Sequence, residues 1–383
     1  YITWEKVDNA NLGFDLMLFK NRLSITADLY QRTTRDMIGP AESIPSISGI
    51  ASEDRAKVNN ATLRNRGWEL SVSWNDKLKC GFSYGVGFNV FNYKAVVTKY
   101  NNPEGIIYNN HTGLAANKGY YEGMDLGEIW GYRADDLFLS NREIDDYLRK
   151  VDLTAFKSND LWRRGDLKYI DTNGDGRVDG GKGTLSDHGD LQVIGNTTPK
   201  YSFGINLNLG YKGFEVSTLL QGVAKRDFPI AGSNYMFGGN NYNFKEHLDY
   251  FSTENPNGYL PRLTGWKDDK DFLVNTGYNT TRYLLNAAYM RMKNLTVAYT
   301  FNKKQLKHIG ISNLKVYVTC DNLFTITKLP KQFDPETLNQ VNMSAGGDAK
   351  NTAPGLTSPM KQNGNGMVYP MNRNFVFGLD FTF

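Results

Sequence analysis

Hydrophobic and polar residues alternate along most of this chain with the period of a β-strand. The last segment is the clearest: Phe375, Phe377, Leu379, Phe381 and Phe383 are interleaved with Val376, Gly378, Asp380 and Thr382. Successive strand side chains point to opposite faces, so one face is apolar and the other small or polar. In water such a strand is an aggregation template. It is stable where hydrocarbon meets the apolar face and neighbouring strands pair its edges. The pattern recurs upstream. Leu12, Phe14, Leu16 and Leu18 lead through a short turn at Asn21 and Arg22 to Leu23, Ile25, Ala27 and Leu29, which face Ser24, Thr26, Asp28 and Tyr30. A second hairpin runs through Trp68, Leu70, Val72 and Trp74, turns at 76–79, and returns through Phe82, Tyr84, Val86, Phe88 and Val90. A third joins Tyr201, Phe203, Ile205, Leu207 and Leu209 through Lys212 and Gly213 to Phe214, Val216, Thr218 and Leu220. Two further strands are predicted over 295–301 and 314–324.

About ten such strands are expected, joined alternately by very short turns and by long loops at 39–63, 100–195, 225–285 and 328–366. That asymmetry is the mark of an outer-membrane β-barrel, with tight turns inside and long excursions outside. A large antiparallel sandwich or propeller also alternates, but with shorter strands and modest loops at both ends. One helix is expected: Ser140 and Glu143 have capping-box spacing, and Ile144, Tyr147 and Leu148 recur at three and four residues. Ten or eleven residues of helix fit there, inside an external loop.

Composition sharpens this reading. A hydrophobic fraction of 40% and mean hydropathy of −0.50 resemble a soluble protein. No run approaches eighteen apolar residues, which excludes a transmembrane helix but not a barrel, whose alternation averages to hydrophilic. The 23 Tyr, 21 Phe and 38 Gly suit aromatic girdles and tight turns. Lys and Arg total 44 against 40 acidic residues, a near balance that points to no nucleic-acid partner. Cys80 and Cys320 lie far apart and are expected to be buried free thiols rather than a disulfide. The chain opens on Tyr1-Ile-Thr-Trp, without initiator Met, basic n-region or apolar h-region, and is expected to be a fragment whose secretion signal, if any, lies upstream.

One motif carries chemistry. Asp171, Asn173, Asp175 and Asp179 stand at positions one, three, five and nine of a calcium-type loop, with Gly176 at the sharp turn and the Arg177 carbonyl at position seven. A bidentate Glu is expected at position twelve, where Lys182 stands instead. Asp187 or Asp190 is then the source of the missing carboxylate, across the pliable Gly180, Gly181 and Gly183. The alternative is an Asn/Gly/Asp turn that only looks like a metal loop. If a cation is held, its role is structural. No catalytic constellation emerges: the four histidines lack ligand spacing, so no enzyme and no other cofactor are expected. Aromatic and amide residues crowd 233–244, and Tyr235, Tyr242 and Trp266 are candidate sugar-stacking residues, with a self-packed loop as the alternative.

These residues also carry a resemblance. Trp4-Glu5-Lys6-Val7, Asn11 to Asp15, Leu18 to Leu23, Asp28 to Tyr30 and Thr33 to Met37 closely resemble the barrel of SusC/RagA-like TonB-dependent transporters. So do Asn65-Arg-Gly67-Trp-Glu69, Gly165 to Gly176, Ile194 to Asn196, Pro199 to Gly204, Tyr289 to Leu295, Asp321 to Phe324 and Tyr369 to Phe383. The resemblance implies an all-β transmembrane antiparallel barrel, here its C-terminal part, with about ten of 22 strands and the plug domain absent. It implies a Bacteroidetes-type outer-membrane protein that imports oligosaccharides or peptides. Its partners would be a SusD-like surface lipoprotein, the TonB–ExbB–ExbD complex acting through the missing N-terminal part, and outer-membrane lipid. Glycan cargo is favoured over peptide. A secreted calcium-stabilised β-rich binding or adhesion protein remains the rival class.

Overall fold

The structure, a computed structural model, describes residues 2–39, 58–107, 120–134, 136–231, 236, 245–264, 270–301, 306, 311–338 and 370–382. Its elements in order are β1 (Lys6–Leu18), β2 (Leu23–Gly39), β3 (Val58–Lys77), β4 (Ser83–Lys99), β5 (Glu128–Gly131), β6 (Asp136–Leu137), α1 (Asn141–Leu148), β7 (Leu167–Lys168) and β8 (Gln192–Asn196). Then follow β9 (Lys200–Tyr211), β10 (Phe214–Lys225), β11 (Asp227–Pro229), β12 (Leu284–Asn286), β13 (Tyr289–Phe301), β14 (Asn313–Asp321), β15 (Thr325–Thr327) and β16 (Asn374–Thr382).

Nine long strands form one antiparallel sheet in the order β1-β2-β3-β4-β9-β10-β13-β14-β16, and β15 adds a tenth by pairing with the start of β13. Strands that follow each other along the chain are thus neighbours, and only the length of the connections varies. At one end they are short. Lys212 and Gly213 have φ of 47° and 90°, the two positive values of a primed two-residue hairpin turn, and the Gly takes the second at no steric cost. At the other end the chain makes its long excursions, and β5–β8, β11, β12 and α1 lie within them.

The registers extend each face across the sheet. Phe14 pairs with Ala27, Leu29 with Trp68, Val72 with Phe88, Val86 with Leu207, Val216 with Val297, and Val316 with Leu379. On the other face Ser71 pairs with Asn89, Gly87 with Asn206, Ser217 with Asn208, Thr296 with Thr319, and Lys315 with Asp380. Among the described residues the apolar face is open: Phe377 is 78% exposed and Leu379 63%. The tightly buried cluster sits in the loop layer instead, around Phe138, Leu153, Leu167, Tyr169, Ile230, Val274 and Tyr283. Among the described residues no helix is long and apolar enough to cross a membrane, which says nothing of strands.

Several boundaries differ from the sequence reading. Residues 58–63 are strand, because β3 follows β2 along its whole length to Gly39 through two register shifts. β13 begins at Tyr289, well before 295. The strand predicted over 314–324 ends at Asp321: Asn322 has φ of 52°, and the chain turns there toward β15. The helix has eight residues, not ten or eleven. Its start is as expected, with Ser140 Oγ accepting from Glu143 N at 3.1 Å and Glu143 Oε2 accepting from Leu139 N at 2.9 Å. It stops early because Asp152 N–H donates to the Gly176 carbonyl of the aspartate loop rather than along the helix. The cysteines are free but not both buried. Cys80 is exposed on the 78–82 turn, and Cys320 is half-buried on β14.

Candidate functional site

The polar face of the sheet is concave. Residues of β3, β4, β9, β10, β13 and β14, with Lys20, Asn21 and Arg22 from the first turn, bound one cavity of about 650 Å³. A flat sheet could not bring Asn75, Asn208, Ser217 and Lys315 to one space. The wall is a set of amides, hydroxyls and paired charges. Thr26 Oγ1 donates to Asp15 Oδ1 at 2.7 Å, Thr296 and Thr319 hydroxyls meet at 2.8 Å, and Lys315 Nζ on β14 reaches Glu215 Oε2 on β10 at 2.6 Å. Glycines make room for these groups: a Cβ on Gly378 would lie 2.1 Å from Cζ of Tyr317, which folds over it. Such a surface offers many exchangeable hydrogen bonds, each of small net value.

Above the wall, the β4–β9 and β10–β13 excursions are fastened by buried charges. Lys157 Nζ donates to Asp166 Oδ2 at 2.7 Å and to Asp271 Oδ1 at 2.6 Å, and the Lys157 and Asp166 side chains are fully buried. Arg262 Nε bridges back to Asp166 Oδ1 at 2.6 Å and its Nη2 pairs with Asp271. Asn275 closes the circuit, donating to Asp166 Oδ1 at 2.8 Å and accepting from Leu167 N at 2.8 Å. Two cations and two carboxylates are thus mutually satisfied. Burial pushes the Asp271 carboxyl up, but hydrogen bonds from Lys157 and Arg262 outweigh it and leave it below its ordinary value. Sequence patterning missed this cluster, since its members are scattered over two excursions on either side of the β9–β10 hairpin and follow no period.

A third excursion is latched to the sheet itself. Arg291 on β13 pairs with Asp334 at 2.8 Å and Glu336 at 3.1 Å, and Lys293 reaches Glu336 at 2.8 Å. Arg226 Nη2 donates to the Leu338 carbonyl at 2.8 Å, and Phe333 packs against Phe228. Asp334 also accepts from Met371 N at 2.9 Å, so one carboxylate ties β13 to the chain on both sides of this excursion.

The aspartate loop is ordered as a series of side-chain-to-backbone turns. Asp171 accepts from Gly174 N at 2.6 Å and Gly176 N at 2.8 Å, Asn173 from Asp175 N at 2.9 Å, Asp175 from Arg177 N at 2.8 Å, and Asp179 from Gly181 N at 2.7 Å. Asp190 does fold back, and its buried carboxylate accepts from Thr172 N at 2.7 Å and Asp179 N at 2.9 Å, clasping both ends of the loop. Asp187 turns away, toward Lys182. As arranged here the carboxylates are directed to backbone N–H groups, and no three acidic, His or Cys side chains converge as a metal cluster among the described residues. Tyr235, Tyr242 and Trp266 lie outside the described residues.

Residues 1–323 match the family model for the β-barrel of TonB-dependent receptor-like proteins. The chain belongs to this family. TonB-dependent receptors are non-enzymatic transporters of the outer membrane, and the ten-stranded sheet matches the C-terminal part of their barrel. TonB-dependent receptor P3 of Formosa agariphila is 26% identical over the whole of this chain, which spans 34% of that protein. SusC of Bacteroides thetaiotaomicron is 21% identical over 89% of the chain and 30% of its own length. Among solved structures, the RagAB peptide transporter superposes with a TM-score of 0.64 at 22% identity, covering 99% of this chain and 36% of that one. The chain thus spans about a third of the length of the curated relatives it matches. In a TonB-dependent receptor barrel the apolar face of the sheet meets lipid and the polar face lines the lumen.

Proposed function

We propose that the protein containing this chain imports oligosaccharides across the outer membrane, powered through TonB and assisted by a SusD-like surface lipoprotein. The observation that carries the reading is the two-faced sheet: an uncovered apolar surface outside and a curved wall of Asn, Ser, Thr and Gly within, roofed by packed loops. Amides and hydroxyls suit hydroxyl-rich cargo. Peptide cargo is the second reading, favoured by the likeness to a structure described as a peptide transporter. Peptide main chains would use the same donors and acceptors.

The decisive experiment is uptake by cells lacking the full-length protein. Loss of fluorescent oligosaccharide uptake, restored by complementation, with peptide uptake unchanged, is the expected result. Loss of peptide uptake alone would replace glycan by peptide. Recovery of the full-length protein in the aqueous fraction without detergent would end both readings and favour an adhesin.

A structural Ca²⁺ in the aspartate loop is a separate proposal. Its support is the sequence spacing of Asp171, Asn173, Asp175, Arg177 and Asp179. Asp175→Ala is expected to weaken Ca²⁺ binding measured by calorimetry and to loosen 169–190. An unchanged isotherm, or no isotherm in the parent protein, rules the ion out.

A further inference from the structure

The outward face of β2, β3 and β4 changes character toward its loop end. The apolar band ends at Leu29 and Trp68, whose ring lies 6.5 Å from that of Tyr201. The next outward positions in register are Gln31, Arg66 and Lys94, followed by Thr33, Arg64 and Val96. Arg66 and Lys94 stand directly opposite each other, and Arg64 is two residues along on the same face. None of their register partners is acidic. Arg66 Nε donates to Gln31 Oε1 at 2.5 Å, whereas Arg64 and Lys94 carry no side-chain hydrogen bond or ion pair among the described residues. Outward cations on the neighbouring hairpin differ: Arg35 is paired with Asp8, and Lys6 lies 3.0 Å from Asp36.

Like charges directly opposite on a sheet destabilise it unless something compensates them. Here the compensating anion would have to come from the medium. Trp and Tyr mark the level where hydrocarbon gives way to headgroups, and the cluster sits just beyond them, at the end that carries the long loops. We propose that Arg64, Arg66 and Lys94 bind the phosphate of an anionic glycolipid in the outer leaflet. Cross-strand neighbours lie about 5 Å apart and same-face neighbours along a strand about 7 Å. Three long cationic side chains at that spacing enclose one phosphate, and guanidinium groups match its oxygens in pairs. The apolar band beneath takes the acyl chains of the same molecule, and this commits the site to a lipid rather than free phosphate. The inference rests on the outer-membrane placement proposed above.

The test uses the full-length protein in detergent with lipid A as the probe, in phosphorylated and enzymatically dephosphorylated forms, and bound lipid counted by native mass spectrometry. The parent protein retains the phosphorylated form preferentially. The triple variant Arg64→Gln, Arg66→Gln, Lys94→Gln loses about a hundredfold in affinity, and the exposed single change Lys94→Gln about fivefold. Heat-modifiable gel migration checks that each variant has folded, and the single variant serves if the triple does not. Equal retention of both lipid forms, or unchanged affinity in the folded variants, overturns the site. Displacement of the lipid by inorganic phosphate alone would likewise reduce it to a simple anion site. Failure of the membrane placement is separately visible, as recovery of the parent protein in the aqueous fraction.

Discussion

Asp166→Ala destabilises the loop layer by about 3–5 kcal/mol, the cost of leaving a buried charge without its partner. The carboxylate is fully buried and receives Lys157, Arg262, Asn275 and the Arg163 N–H. Removing it leaves the fully buried Lys157 and the partly buried Arg262 with Asp271 as their one remaining carboxylate. Melting followed by tryptophan fluorescence is a suitable readout, since Lys157 Nζ lies 4.6 Å above the Trp162 ring. The exposed Asp146→Ala, which breaks surface pairs with Arg142 and Arg149, is the control and moves stability by no more than about 0.5 kcal/mol. If both variants melt alike, the buried network does not hold the layer together. Acid acts on the same network. The Asp271 carboxyl is depressed in the folded state, so its contribution is complete above the unfolded value near about 4 and is lost as pH falls through the lower folded value. The layer therefore loosens below about pH 4, not in the neutral range.

Phe377→Lys has the second large effect, on the sheet rather than the loops. Phe377 is mid-strand on β16, paired with Val318 and 78% exposed. In water that substitution would cost little and would improve solubility. In a bilayer it places an ammonium among acyl chains at a cost of about 2–4 kcal/mol. Urea titration of the full-length protein folded into vesicles measures the difference, with Asp380→Asn on the lumen face as the near-neutral comparison. A Phe377→Lys midpoint equal to that of the parent would mean that this face does not meet hydrocarbon.

The sheet was legible because its physics is local. A side-chain period of two, read over ten residues, assigns both faces, and Leu12 to Leu18 or Tyr201 to Leu209 need no distant information. The turn at Lys212 and Gly213 and the Ser140 cap were equally local. Boundaries failed where pairing overrode pattern. Residues 58–63, with Asn59 and Asn60 side by side, lack a clean alternation, yet they are strand because β2 offers them partners. The loop layer was largely illegible. Lys157, Arg262 and Asp271 look like ordinary solvated charges in sequence, and only the fold brings them together out of water. The aspartate loop lies between these cases. Its turns could be read from spacing, but the clasp by Asp190 depends on a return of the chain that spacing leaves open between Asp187 and Asp190.

The location of the buried cluster bears on the order in which the chain assembles. Its members come from three separate stretches, around Phe138 to Leu191, Phe228 to Ala287 and Leu329 to Leu338, with the β9–β10 and β13–β14 hairpins between them. The first stretch supplies about half of the cluster, and the other two supply the rest across those hairpins. Contacts such as that of Tyr169 Oη with the Val274 carbonyl close loops of over a hundred residues, an entropic expense that falls sharply once the hairpins stand side by side. Docking of the roof should thus be a late kinetic event that follows strand pairing, and a defect in the roof would be felt after insertion rather than before it.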